Sequence, residues 1–461
     1  MSDNLILDGD EAIEGLMAKH LLEKGEISFF FWGQSYGFSF LELLFILPFY
    51  LILGVSDIAV KLGMLLMFAI GLYFLLKTAV VLLGEKKYGW AWMLLILFLV
   101  HPAFMEWSMK ARGGYTTAFV LTNFLLYLFF ANKNLSKFQF LFIGVLLVFL
   151  IQSQALFFVG MLPVLIWKLL ESKSLRKSLY FIVGLTTASL LFLIIKLNIS
   201  SYWTPEVLSL SNFQISNLTA LPEKMLVALS GWYYLELPLE QSNSSYLFAL
   251  LFFIGILLIP IYYIFTWIKE KKINWSVLAL IVGTFLYCFM FLFLKQDSFR
   301  YLLPVSLYGS VALFYLFHLI PFKKWMYLFF AAIFLIGIKS AFSFSHNRIG
   351  DKKGFLAASK ALQEEEIYHV FCYDPLQQWQ LMFYSQERIT CRYKTKTDRY
   401  LPFVKAVNLA YKDPNFQTAF FIGYTPTVLG ENSEWRAVDS SFVYLPNPSK
   451  EVLDYYGFEF Q

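Results

Sequence analysis

The chain has 461 residues, 58% of them hydrophobic and 20% aromatic, and a formal net charge of +5. This is far more apolar surface than a soluble core of that length needs, and the apolar runs recur at lengths that cross about 30 Å of hydrocarbon, for which about 20 helical residues suffice. The composition excludes a soluble globular enzyme, and the positive charge, concentrated in short loops, reads as a topology signal that implies no nucleic-acid partner.

Leu7 to Glu42 is the most polar stretch of the first half. Asp8, Asp10 and Glu11 lie together, and Glu42 follows the turn-forming, aromatic segment Gly33-Gln34-Ser35-Tyr36-Gly37. Carboxylates gathered where a membrane meets water can take a proton or hold a divalent ion; an ordinary solvated acidic loop is the plain alternative. No signal peptide or anchor precedes Asp10, so either the true start lies upstream or the first span carries the N-terminus across.

Phe38 to Val55 is short and contains Glu42 and Pro48, which points to a juxtamembrane or re-entrant helix. Ten spans follow: Ile58–Leu83, Trp90–Phe104, Tyr115–Ala131, Phe138–Ile151, Ala155–Leu170, Ser178–Ile195, Tyr246–Ile268, Trp275–Leu294, Tyr301–Ile320 and Trp325–Ala341. Trp90–Phe104 and Phe138–Ile151 are shorter than usual. Gln152-Ser153-Gln154 reads as a plain helix-helix turn ahead of a substrate contact.

Lysine and arginine clusters at Lys86–Lys87, Lys133–Lys137, Lys168–Lys177, Lys269–Lys272 and Lys323–Lys324 fall on alternate connections, which assigns those to the cytoplasm. The acidic N-terminal segment, the turn around Lys110, the loop from Asn198 to Ser245 with its Trp232-Tyr233-Tyr234 cluster, the turn before Arg300 and the tail then share the opposite side. From Ser343 onward the pattern alternates helix and strand and predicts a small α/β domain. The chain thus divides into 1–57, an external catalytic loop with juxtamembrane helices; 58–341, the transmembrane helical domain; and 342–461, an extracytoplasmic α/β domain that caps the protein or recognises an acceptor. Cys372 and Cys391 in the tail can pair if it faces an oxidising compartment, while Cys288 falls in an apolar run.

Asp10-Glu11-Ala12, a helix ending at Gly25, Phe31 to Gly37, Leu41-Glu42, Lys110-Ala111-Arg112-Gly113-Gly114-Tyr115 and Arg300 to Pro304, in this order among the spans, resemble the polytopic GT-C glycosyltransferases, including the mannosyltransferase-like enzymes that use dolichyl- or polyprenyl-phosphate sugars. The resemblance implies an inverting hexosyl- or pentosyltransferase of the cell envelope. Such an enzyme takes its donor from the lipid bilayer of a bacterial inner membrane and hands the sugar to a lipid, glycan or protein acceptor outside. It implies Asp10 as the base, with Glu11 beside it, and a divalent Mg or Mn ion on Asp10 and Glu42. It also implies Lys110, Arg112 and Arg300 as phosphate ligands, and Gln34, Tyr36 and Tyr115 as substrate contacts.

Several positions depart from the family pattern. Thr116-Thr117 stands where an acid is expected after the tyrosine, which puts metal dependence in doubt, although Glu106 offers a nearby acid; Lys61 replaces a usual arginine. The phosphate chemistry suits arginine, whose planar fork makes bidentate contacts, and two glycines let backbone amides approach an anion. Phe29 to Trp32 fit either a sugar platform or an interfacial aromatic belt. The competing functions are a lipid or polysaccharide transporter, which places ionisable groups at mid-membrane depth, and an inactive scaffold of the same architecture.

Overall fold

The computed structural model describes residues 6–83, 88–132, 134–199, 212–231, 242–293, 299–319, 323–343, 352–423, 434–438 and 441–460. It opens with α1 (Gly9–Lys24). Asp8 caps this helix through a capping box, accepting from the Glu11 amide while Glu11 accepts from the Asp8 amide, and Gly25 ends it in the left-handed region at φ 66°. The juxtamembrane helix α2 (Phe40–Leu53) follows.

Among the described residues five helices are long and apolar enough to cross a membrane: α3 (Asp57–Leu83), α7 (Lys137–Ser172), α8 (Leu175–Leu197), α10 (Asn243–Glu270) and α11 (Trp275–Met290), the last extended by one short turn. Shorter apolar helices accompany them: α4 (Tyr88–Val100), α6 (Tyr115–Ala131), α12 (Leu303–Leu319) and α13 (Lys323–Ser343). The chain is an integral membrane protein. The span expected over Trp90–Phe104 stops at Val100, because Pro102 starts a separate short helix, α5 (Pro102–Trp107), with His101 as its cap. The loop Asn198 to Ser245 contains a helix the sequence reading missed, α9 (Ser216–Leu229); Trp232-Tyr233-Tyr234 lies outside the described residues.

Phe138–Ile151 and Ala155–Leu170 are two helical segments of α7, separated by a kink where Gln154 leaves helical geometry (φ −152°, ψ 101°). At this break the Gln154 amide donates to the Gly113 carbonyl and the Gln152 carbonyl accepts from Phe38. The polar interruption therefore ties α7 to the turn before α6. Below the break, the Tyr287 hydroxyl sits inside the hydrogen-bond ladder of α7, accepting from Gly160 N at 3.0 Å and donating to Leu156 O at 2.7 Å; Tyr308 donates to Phe157 O at 2.8 Å. A side chain inserted in the ladder is a recognised cause of helix bending. In hydrocarbon these backbone groups need such partners. Helices α7 and α8 approach through glycine, since a Cβ on Gly184 would stand 2.0 Å from the Leu141 carbonyl oxygen. The outer face of α8 exposes Leu179, Ile182, Val183, Leu190 and Ile194, as a lipid-facing surface does.

The tail folds as a five-stranded sheet in the order β2-β1-β3-β5-β4, from β1 (His369–Cys372), β2 (Thr390–Arg392), β3 (Thr418–Gly423), β4 (Arg436–Ala437) and β5 (Phe442–Pro446). β1 runs parallel to β2 and β3; β5 is antiparallel to β3 and β4. Helices α14 (Lys352–Glu364), α15 (Gln377–Tyr384), α16 (Leu401–Lys412) and α17 (Lys450–Tyr455) surround it. Cys372 and Cys391 are buried free thiols on neighbouring strands. One apolar core fills the helical bundle, and a second joins α1, α2 and α3 to one face of the tail sheet.

Helix α1 is held from both sides. Tyr50 of α2 donates to Gly15 O at 3.0 Å, while Tyr384 and Gln380 of α15 bond the Leu7 amide and carbonyl at 3.1 and 2.8 Å. Gly9 and Gly15 permit the close fit: added Cβ atoms would lie 2.6 Å from Leu376 and 2.5 Å from Phe383. Tyr287→Phe removes the hydroxyl inside the α7 ladder and is expected to cost about 1–3 kcal/mol, read as a lowered thermal midpoint in detergent; an unchanged midpoint would mean that α7 recloses its own ladder.

Candidate active site

The acids of α1 face the turn between α5 and α6. Asp10 pairs with Arg112 Nη2 at 2.9 Å and, on its other oxygen, with Arg399 Nη2 of the tail at 3.5 Å. Asp8 lies 3.5 Å from Lys110 and 3.9 Å from Arg112. Glu11 is ion-paired with Lys61 of α3, so this lysine holds an acid of the site. Lys110 and Arg112 are buried or nearly so. Among the acids of this group, Asp10 has the most exposed side chain at 13%, against 11% for Asp8 and 2% for Glu11.

Burial pushes the Asp8 carboxyl up, but Lys110, Arg112 and the Glu11 amide outweigh it and hold the group well below the ordinary carboxylate range. For Glu11 burial wins, and its carboxyl is pushed up in spite of Lys61.

Glu42 closes the start of a helix. Gly114 precedes α6 without a side chain to cap it, and Glu42 supplies the missing acceptor, taking the amides of Gly114, Thr116 and Thr117 at 3.3, 3.1 and 3.2 Å. The glycine amides expected to meet a ligand anion thus meet protein carboxylates: Gly113 N donates to Glu14 Oε1 at 3.0 Å. Both glycines adopt positive φ, 54° and 84°, and a Cβ on Gly114 would stand 2.9 Å from two carbonyl oxygens. Among the described residues no group of three or more His, Cys, Asp or Glu is placed to hold a metal ion. The donor oxygens of Asp10 and Glu42 face guanidinium groups and backbone amides respectively, so these residues do not suit a divalent cation.

Glu14 was not singled out in the sequence. It is fully buried, and its Oε2 has no hydrogen-bond partner among the described residues. Burial pushes its carboxyl well above the usual range and Glu42 adds repulsion; burial lifts Glu42 to about 7 against the pull of the Thr117, Gly114 and Thr116 amides. The signal available was the spacing: Asp10 and Glu14, four apart, share one helix face.

The other expected residues scatter. Tyr115 is buried against Trp107 with ring centroids 4.4 Å apart, so it belongs to the core and not to an open substrate surface. Gln34 is buried and Tyr36 half-buried in the turn that Gly33 and Gly37 shape. The side chains of Arg300 and Glu106 lie outside the described residues. The Phe29–Trp32 aromatics are neither belt nor platform: Phe30 packs on Phe192, and Trp32 stacks on Tyr400 of the tail at 4.3 Å. Behind them His20 bonds Glu26 at 3.0 Å and Glu387 at 2.6 Å, and Lys19 also reaches Glu387, fastening α1 to the tail.

An acidic helix clamped between a juxtamembrane helix, the heads of the spans and a small soluble domain defines a membrane protein of GT-C architecture. Its whole length superimposes on ArnT from Cupriavidus metallidurans. The structure of ArnT bound to undecaprenyl phosphate matches at TM-score 0.64 and 12% identity, covering 100% of this chain and 96% of that one; the apo state matches at 0.62 and 10%, covering 97% and 95%. No protein-family model and no curated protein matches the sequence.

The raised carboxyls set a pH dependence. A group whose folded value rises from 4.5 to about 7 gives stability that is fully present below 4.5 and is lost as pH climbs through 7, on the order of 3 kcal/mol. The thermal midpoint in detergent should therefore fall between pH 5 and pH 8, and Glu42→Gln, which mimics the protonated acid, should flatten that fall. The same slope in wild type and variant would rule Glu42 out as its source.

Proposed function

We propose that the chain is a glycosyltransferase that moves one sugar from a polyprenyl-phosphate donor to an acceptor on the extracytoplasmic face of the membrane. The observation that carries this reading is Asp10, a partly accessible carboxylate flanked by Arg112 and Arg399, with Lys110 one residue pair away on Asp8. Support comes from the shared fold with ArnT, one of whose structures holds undecaprenyl phosphate.

Glycosyl transfer from a lipid phosphate needs a base for the acceptor hydroxyl and positive charge for the departing phosphate. The donor's phosphate competes with Asp10 for Arg112. As it takes over the guanidinium, the Asp10 carboxylate is released to accept the hydroxyl proton. The acceptor oxygen attacks the anomeric carbon, the bond from that carbon to the phosphate oxygen breaks, and the electron pair leaves with the phosphate, where Arg112 and Lys110 meet the growing charge. A single displacement inverts the anomeric centre. Glu11, fixed by Lys61, and Asp8, fixed as helix cap and ion partner, keep α1 in register with the cations.

Asp10→Asn should lower transfer by about 100- to 10,000-fold in a reconstituted assay with a polyprenyl-phosphate sugar while leaving insertion intact; near wild-type turnover would remove Asp10 from the role of base. Orientation has its own measurement. Lys360→Cys, on the exposed face of α14, should react with a membrane-impermeant maleimide from outside intact cells, and Lys271→Cys, in the connection after α10, only after permeabilisation. The reverse pattern would put the site on the wrong face for this chemistry.

A further inference from the structure

The soluble tail contributes more to the site than a cover. Arg399 lies between the tail strands and α16, and its backbone is pinned: its amide donates to Asp398 Oδ1 at 2.7 Å, and Asp398 in turn accepts from Gln378 at 2.7 Å. Its guanidinium lies over the Phe31 ring at 4.8 Å, and Phe31 borders Gly113 of the Lys110–Tyr115 turn. Gly33 lets the two segments meet, since a Cβ there would stand 2.7 Å from the Arg399 Cα. The side chain is thus aimed across the boundary between tail and membrane domain, onto Asp10.

Its pairing there is incomplete. Arg112 holds one Asp10 oxygen at 2.9 Å, whereas Arg399 stands 3.5 Å from the other, and Arg399 Nη1 is buried without a hydrogen-bond partner among the described residues. One carboxylate cannot satisfy two planar forks, each built to grip a pair of oxygens. A phosphate can, because its oxygens point in several directions at once. We propose that Arg399 is a second phosphate ligand of the site, so that the donor's leaving phosphate is held between Arg112 from the membrane domain and Arg399 from the tail.

The inference rests on the glycosyltransferase reading, and the chemistry makes a finer distinction within it. The donor's phosphodiester carries one negative charge, while the released polyprenyl phosphate is a monoester that carries up to two at neutral pH. A second guanidinium is therefore worth more as the bond breaks than before it does, which places Arg399 among the groups that act on turnover.

The test uses the full chain in detergent, titrated with undecaprenyl phosphate and, in parallel, with undecaprenol. Wild type should prefer the phosphate. Arg399→Ala and Arg399→Gln, the latter keeping much of the stem over Phe31, should each weaken phosphate binding by about 10- to 100-fold without changing undecaprenol binding, Arg399→Lys should recover part of the loss, and Arg388→Ala, an exposed tail cation away from the site, should change nothing. In the transfer assay Arg399→Gln should lower kcat more than it raises KM. If Arg112→Ala weakens phosphate binding while Arg399→Gln, folded with a wild-type thermal midpoint, binds and turns over like wild type, Arg399 is a structural tie and the inference falls alone. If wild type itself shows no preference for the phosphate over the alcohol, the transferase reading falls and this inference with it.

Discussion

The site depends on charge balance in a place poor in water. Five carboxylates, those of Asp8, Asp10, Glu11, Glu14 and Glu42, gather within reach of four cations, Lys61, Lys110, Arg112 and Arg399. Isolated charges cannot be buried at such depth, so each must find a partner or give up its ionisation. Asp8, Asp10 and Glu11 find cations, Glu42 finds the amides at the start of α6, and burial pushes the Glu14 carboxyl well above its usual range. The cations of the cluster are therefore partnered by carboxylates before any ligand arrives.

The same accounting explains the helix ends. Gly113 and Gly114 allow the backbone to turn sharply under the acids, and the amides they expose are taken by Glu14 and Glu42. The polar break at Gln154 closes onto the same turn from the other side. Three distant segments thus define one short stretch of backbone, and it carries Lys110 and Arg112 on its outer edge. Rigid placement of the cations follows from these bonds more than from the ion pairs themselves, whose strength depends on what surrounds them.

Much of this was legible in the sequence. The helix from Asp8 to Gly25 follows from its capping box and its terminal glycine, the spans from their length and apolarity, and the tail's alternation of helix and strand from its periodicity. Asp10, Lys110 and Arg112 were implied by the resemblance and the order of its motifs, and the fold brings the three together. What escaped was whatever depended on the far partner. Glu42 was implied as a metal ligand by the resemblance, and nothing local shows that its carboxylate also accepts from an amide 72 residues on, at the start of a helix. Glu14 looked like one more acid on a polar helix face until packing buried it. Arg399 sits among many surface lysines and arginines of the tail, and only the tertiary fold brings it to Asp10. The aromatic run Phe29 to Trp32 carries a composition that interfaces and cores share, so its packing against Phe192 and Tyr400 could not be read from residue type.

The clamp on α1 also fixes an order of events during synthesis. The helix emerges first, yet the tyrosine that holds its leading amide lies 377 residues further along the chain. At about 5 to 20 residues per second a ribosome takes roughly 20 to 75 seconds to supply it. Until then α1 lacks the bonds it makes to Gln380, Tyr384, Glu387 and Arg399, so the tail side of its clamp is the last part of the site to be supplied.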